Sequence, residues 1–114
     1  MRCYRSLRRQ GDFTRLYRRG KRFTAPIFVL YAARIGAGQR ASKIGISVSK
    51  AIGKAVRRNL VRRRVQCALD ALGPAAYAQL DLAFVAKPGA AELPFARLAG
   101  ELEAALVVLR RALA

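Results

Sequence analysis

Apolar positions along this chain follow two alternating periods. In GDFTRLYRRG, Phe13, Leu16 and Tyr17 fall at i, i+3 and i+4, which predicts a helix with Gly20 as its stop. FTAPIFVLYAARI follows, rich in β-branched and aromatic residues. Pro26 cannot donate to a sheet ladder, so the strand is expected to begin near Ile27; a bend or break within residues 22–35 would make an extra strand. GAGQRAS reads as a turn or loop. KIGISVS alternates, with Ile44, Ile46 and Val48 on one face and Lys43, Gly45, Ser47 and Ser49 on the other: a half-buried strand. Helical spacing returns from about Ala55 to Leu72 and stops at Gly73-Pro74. Asp81 to Lys87 is a short apolar strand, ended by Pro88-Gly89. Pro94 suits the first turn of a long amphipathic helix whose acids lie early and whose Arg110 and Arg111 lie late, as the helix dipole favours.

The order is therefore α-β-β-(β)-α-β-α, an α+β fold with helices packed on a small sheet, in a single domain over residues 1–114. Residues 1–10 are expected to be a flexible basic arm, extended or frayed. No apolar run approaches the roughly 18–20 residues of a membrane span. MRCYRSLRRQGDF lacks the apolar segment of a secretory signal. Cys3 and Cys67 are too few for a disulfide framework and read as reduced thiols, Cys67 on or near a helix core face. The expected location is cytoplasmic.

Charge changes the picture. The chain carries 23 Lys+Arg against 6 Asp+Glu, a net +17. At 54% apolar it is too hydrophobic for a disordered basic tail, so this is the footprint of a folded nucleic-acid binder. Residues 1–64 hold 19 of the basic residues and a single acid, Asp12, which places the binding function in the first half. GKAVRRNLVRRR, Gly53 to Arg64, concentrates it: five arginines, one lysine and no acid. Like charges four apart destabilise a helix by a few tenths of a kcal/mol per pair, so something outside the chain is expected to compensate.

At about 100° per residue, Arg58 and Arg62 are neighbours, with Asn59, Arg63, Gln66 and Asp70 completing a polar arc. Val56, Leu60 and Cys67 fall on one side of the apolar arc and Val61, Val65, Ala68 and Leu72 on the other. Arg57 and Arg64 interrupt that arc and are expected to snorkel at its border. Guanidinium forks suit phosphate oxygens, and Asn59 could read a base or a 2′-OH. A charge run is commonly only a solvated face, but here almost no acids accompany it. Phe13 and Tyr17 lie one turn apart among Arg15, Arg18 and Arg19; Phe28 and Tyr31 lie on opposite faces of the first strand. Aromatics interleaved with cations make a stacking platform for single strands. Phe28 reads as plain core, whereas for Phe13, Tyr17 and Tyr31 core packing and stacking stay equally open.

The chain has no histidine, and its six acids show no cluster in sequence. No catalytic residue, metal-ligand set or independent cleavage is expected. A DNA-binding module is disfavoured because strands, not a helix-turn-helix spacing, flank the basic helix.

At these residues the sequence resembles the bacterial ribonuclease P protein family, over nearly the whole chain. KIGISVSKAIGKAVRRNLVRRR is similar to that family's Gly-Ile-Ser-Val-Ser-Lys-Lys-Val-Gly-Asn-Ala-Val, one variable residue, then Arg-Asn-Arg and a Lys/Arg pair. DFTRLYRRG resembles its first helix, FVLY its first strand, and DLAFVAKPGA its late strand with a basic residue, Lys87, at the end. Leu60 departs from the second arginine of Arg-Asn-Arg; Lys54 replaces a common asparagine, Ala51 a lysine and Gln66 an arginine. The resemblance implies a four-stranded sheet and a left-handed crossover through the arginine-rich helix, against the general right-handed rule. It implies the protein subunit of an RNA-based endoribonuclease that removes the 5′ leader from precursor tRNA. The catalytic RNA, with Mg²⁺, would perform the hydrolysis, and the protein alone would bind no cofactor. Lys54, Arg58, Asn59, Arg62 and Arg63 would hold the catalytic RNA. Phe13, Tyr17, Tyr31, Ser47, Ser49, Lys50 and Lys87 would hold the precursor-tRNA leader. Neither membrane nor DNA is an expected partner. The alternative is a general RNA-binding, ribosomal-type protein with no dedicated enzyme.

Overall fold

The computed structural model describes residues 4–36, 38–39 and 41–113. The elements are β1 (Arg5–Ser6), α1 (Gln10–Arg19), β2 (Lys21–Thr24), β3 (Phe28–Arg34), β4 (Lys43–Ser47), α2 (Ala55–Leu72), β5 (Leu80–Ala86) and α3 (Phe95–Leu113). They build one sheet in the order β1-β4-β5-β3-β2. β2, β3 and β5 pair antiparallel, β1, β4 and β5 parallel, and α2 is the crossover between β4 and β5.

The sheet has five strands where four were expected: the extra strand allowed for within residues 22–35 is present, and β1 is the one addition. The break around Pro26 divides the apolar run into β2 and β3, with the Ala25 N–H donating to the Phe28 carbonyl at 2.8 Å. β1 forms inside the segment expected to be a free arm. Tyr4 and Leu7 are buried, Tyr4 packs edge-on against Tyr77, and the Leu7 N–H donates to Ile44 at 3.0 Å. Two apolar anchors thus pin the stretch from Tyr4 to Leu7. Residues 1–3 of the expected arm, Cys3 among them, lie outside the described residues.

Strand alternation divides the side chains between two layers. Phe28, Leu30 and Ala32 of β3 and Leu80, Leu82, Phe84 and Ala86 of β5 face the main core, beneath α2 and α3. Phe28 stacks on Phe84 with ring centroids 4.8 Å apart, so it is core, as read. The intervening residues Tyr31, Ala33 and Ala83 face α1, where Leu16 closes a second small cluster. Gly20 ends α1 as expected, though for a different reason. Its φ of −73° suits any residue. An added Cβ, however, would lie 2.6 Å from the Leu16 carbonyl oxygen and 2.9 Å from that of Ala32.

α2 seats itself through one stripe: Val61, Val65, Ala68 and Leu69. Cys67 and Val56, both expected on the apolar arc, are exposed, Val56 by 80%. They fall off that stripe, and nothing of the sheet or α3 reaches around the helix to cover them. Arg57 and Arg64 sit at the border and grip the β5–α3 connection. Arg57 pairs with Glu92, and Arg64 Nη1 donates to the carbonyls of Ala91 and Leu93, each at 2.9 Å. The Arg57–Glu92 pair is solvent-exposed and contributes little. Arg64 is partly buried and holds two charge-assisted bonds. Arg64→Ala is expected to destabilise the fold by about 1.5–3 kcal/mol, read by thermal unfolding. An unchanged melting curve would remove Arg64 from this bracing role.

Candidate nucleic-acid interface

The site grows out of the way α1 lies on the sheet. Leu16 anchors the helix over Ala83, and the same face presents Phe13 and Tyr17. Gly45 makes this seat possible. A Cβ there would run into the Phe13 ring and lie 2.9 Å from the Leu7 Cβ. Gly45→Ala is expected to lose about 1–3 kcal/mol by overpacking and to dislodge Phe13. Thermal unfolding and single-strand binding should then fall together; a stable variant with Phe13 undisturbed would contradict this.

Phe13, Tyr17 and Tyr31 form a chain of rings, with centroids 6.2 Å apart for the first pair and 4.7 Å for the second. Tyr17 remains 38% exposed, so a ring held in place from behind still offers surface to a base. Burial pushes its hydroxyl above the usual tyrosine range; nearby Tyr31 acts in the same direction and a hydrogen bond with Ser47 opposes it. The hydroxyl is therefore neutral at ordinary pH and sets no negative charge against a phosphate.

Beyond Ile44, β4 has no pairing with β1, because β1 is only two residues long. A cleft opens along this free edge, lined by Phe13, Tyr17, Ser47, Val48 and Arg62. Four of the seven residues assigned to the leader thus meet directly: Phe13, Tyr17, Tyr31 and Ser47. Ser49 and Lys50 follow at the exposed end of β4. Lys87 lies two residues past Val85, and Ser49 two past Ser47, the last registered pair of β4 and β5. Both therefore belong to the same end of the sheet. The Lys87 ammonium is engaged there, donating to the Ala25 carbonyl at 3.0 Å.

On α2, Lys54, Asn59 and Arg63 are exposed and Arg58 and Arg62 half-buried. Arg62 Nη1 donates to Asn59 Oδ1 at 3.3 Å. The side chain of Arg62 also lines the cleft wall, so a residue assigned to the catalytic RNA stands between both surfaces. Helical spacing describes one helix and not its neighbour, so it does not reveal this contact. Gln10, Ile46 and Val48 complete the lining and were not singled out; only the pairing of the sheet shows that the β4 edge is open. Among the described residues no three Asp, Glu or Cys side chains gather as a metal site. Among the described residues no helix is long and apolar enough to cross a membrane.

A profile of the family described as Ribonuclease P matches residues 1–110. The chain is 38% identical over 106 residues to the ribonuclease P protein component of Chloroflexus aurantiacus, covering 92% of this chain and 76% of the relative. It is 34% identical over 92 residues to that of Streptococcus pyogenes, covering 81% and 75%. The ribonuclease P protein of Staphylococcus aureus matches in structure with a TM-score of 0.80 at 25% identity, over 90% of this chain and 93% of that one. That of Thermotoga maritima matches with a TM-score of 0.73 at 25% identity, over 93% and 96%.

Proposed function

The chain belongs to the ribonuclease P family, as a protein component of the ribonucleoprotein that processes tRNA 5′ leaders, and on that premise we propose that it divides RNA recognition between two surfaces. The outward arc of α2, with Lys54, Arg58, Asn59 and Arg63, holds the catalytic RNA through its phosphates. The cleft beside it takes the single-stranded leader of precursor tRNA. Phe13, Tyr17 and Tyr31 supply stacking surface, while Ser47, Ser49, Lys50 and Lys87 follow the backbone along the end of the sheet. Arg62, on the wall between them, touches both.

The observation that carries this reading is the exposed Tyr17, braced by Tyr31 and Ser47 and facing Arg62 across an open strand edge. A ring buttressed on one side and bare on the other suits an unpaired base. The protein is not itself catalytic in this scheme. Its acids do not assemble as Mg²⁺ ligands among the described residues, and the metal ions belong to the RNA.

The test is cleavage of precursor tRNA at low Mg²⁺ by protein alone, by ribonuclease P RNA alone and by the mixture. Efficient cleavage by the mixture only is the expected result. A mixture no better than RNA alone would leave a general RNA-binding protein. Cleavage by protein alone would overturn the assignment of chemistry to the RNA.

A further inference from the structure

A second cavity, of about 300 Å³, lies at the opposite end of the sheet and on the opposite side of α1. Around the helix, Asp12, Arg15 and Arg19 point about half a turn away from Gln10, Phe13 and Tyr17, at about 100° per residue. The floor is apolar, from Leu16 and Ala33. Arg15, Arg19 and Lys43 stand around it. Among the described residues none of these three side chains makes a hydrogen bond or ion pair. Two carboxylates also line the cavity. Asp81 is already occupied, its Oδ1 accepting from the Lys43 N–H at 2.8 Å and Gln39 Nε2 at 2.7 Å. Among the described residues Asp81 Oδ2 and both oxygens of Asp12 have no partner, so Asp12 alone offers a whole carboxylate.

We propose that this cavity binds a guanosine nucleotide. Its volume is that of a small-ligand site. An apolar floor suits the face of a base, and three unpaired cations suit its phosphate. The unengaged carboxylate of Asp12 then selects the base. A carboxylate only accepts, and guanine presents two adjacent N–H donors, on N1 and N2, to its two oxygens. Adenine and cytosine each place a ring acceptor beside their amino donor, and uracil flanks its single N–H with two carbonyls. All three set an acceptor against Asp12. The site is separate from the leader cleft, being walled off by α1, and takes either a free nucleotide or the phosphorylated end of an RNA.

The experiment is calorimetric titration of the full chain with GMP and AMP at physiological salt. GMP is expected to bind roughly tenfold tighter or more, the discrimination of a bidentate pair. Asp12→Asn should abolish the preference and leave residual affinity for both. Lys43→Ala, outside α1, should weaken both alike. Tyr17→Ala should leave GMP binding intact. Equal affinities for GMP and AMP in the parent chain, or a preference that survives Asp12→Asn, would overturn the proposal. So would loss of GMP binding in Tyr17→Ala, which would place the nucleotide in the leader cleft. Displacement of GMP by an oligonucleotide with a 5′-phosphorylated guanosine names an RNA end as the source; failure to displace it names the free nucleotide.

Discussion

Alanine at both Arg58 and Arg63 is expected to weaken binding of ribonuclease P RNA by roughly a hundredfold or more at fixed salt. Each arginine that meets a phosphate contributes about 1.5–3 kcal/mol as a charged hydrogen bond, and about 1.4 kcal/mol is tenfold in affinity. The dependence of log K on log salt should flatten by about one unit for each lost phosphate contact. Both measurements are needed, because a misfolded variant would also bind weakly. Arg64→Ala is the control. Its guanidinium is committed to Ala91 and Leu93, so it should lower the melting temperature and leave the salt slope unchanged. If the double variant kept the full slope, the outward arc of α2 would not be the catalytic-RNA surface.

Tyr17→Ala should act on the substrate instead. Loss of one stacked base is worth about 1–3 kcal/mol, so KM for a leader-bearing precursor should rise roughly 5- to 150-fold. Assembly with the catalytic RNA and cleavage of a substrate lacking a leader should be unaffected. Tyr17→Phe keeps the ring and loses only the bond to Ser47, so it should come close to the parent chain. Because burial holds the hydroxyl above the usual tyrosine value of 10.0, no ionisation of Tyr17 enters near neutral pH. Identical defects in Tyr17→Ala and in the Arg58/Arg63 pair would abolish the division between two surfaces.

Much of this was legible in the sequence where a rule acts locally. α2 runs from Ala55 to Leu72 as its spacing and Gly73-Pro74 predict. Ile44 and Val48 of the β4 stretch share the core face as read, β5 is the short apolar strand expected, and Phe28 is core. What the sequence withheld depends on neighbours. β1 exists only because Tyr4 and Leu7 find a core, which two apolar residues among arginines do not announce. Cys67 and Val56 fall on the apolar arc by spacing, but the seat of α2 is too narrow to cover them. Arg62 could be placed on a helix face but not on the wall of a cleft made by α1 and β4. Arg57 and Arg64 were expected at the border, and their grip on the 91–93 turn gives that border a purpose. The site pattern came chiefly from the family resemblance, since periodicity alone left Phe13, Tyr17 and Tyr31 undecided.

The first turn of α2 has no acid, and among the described residues Arg57 with Glu92 is its one ion pair. A polyanion that binds the folded chain therefore stabilises it by mass action. The same feature bears on turnover. A newly made chain without its RNA opens more often than an assembled one, and proteases act on the open form. The supply of RNA would then set the supply of protein, with surplus subunits cleared and no dedicated regulator required. Chain half-life in cells depleted of ribonuclease P RNA should shorten; an unchanged half-life would show that the unassembled fold is already stable enough to persist.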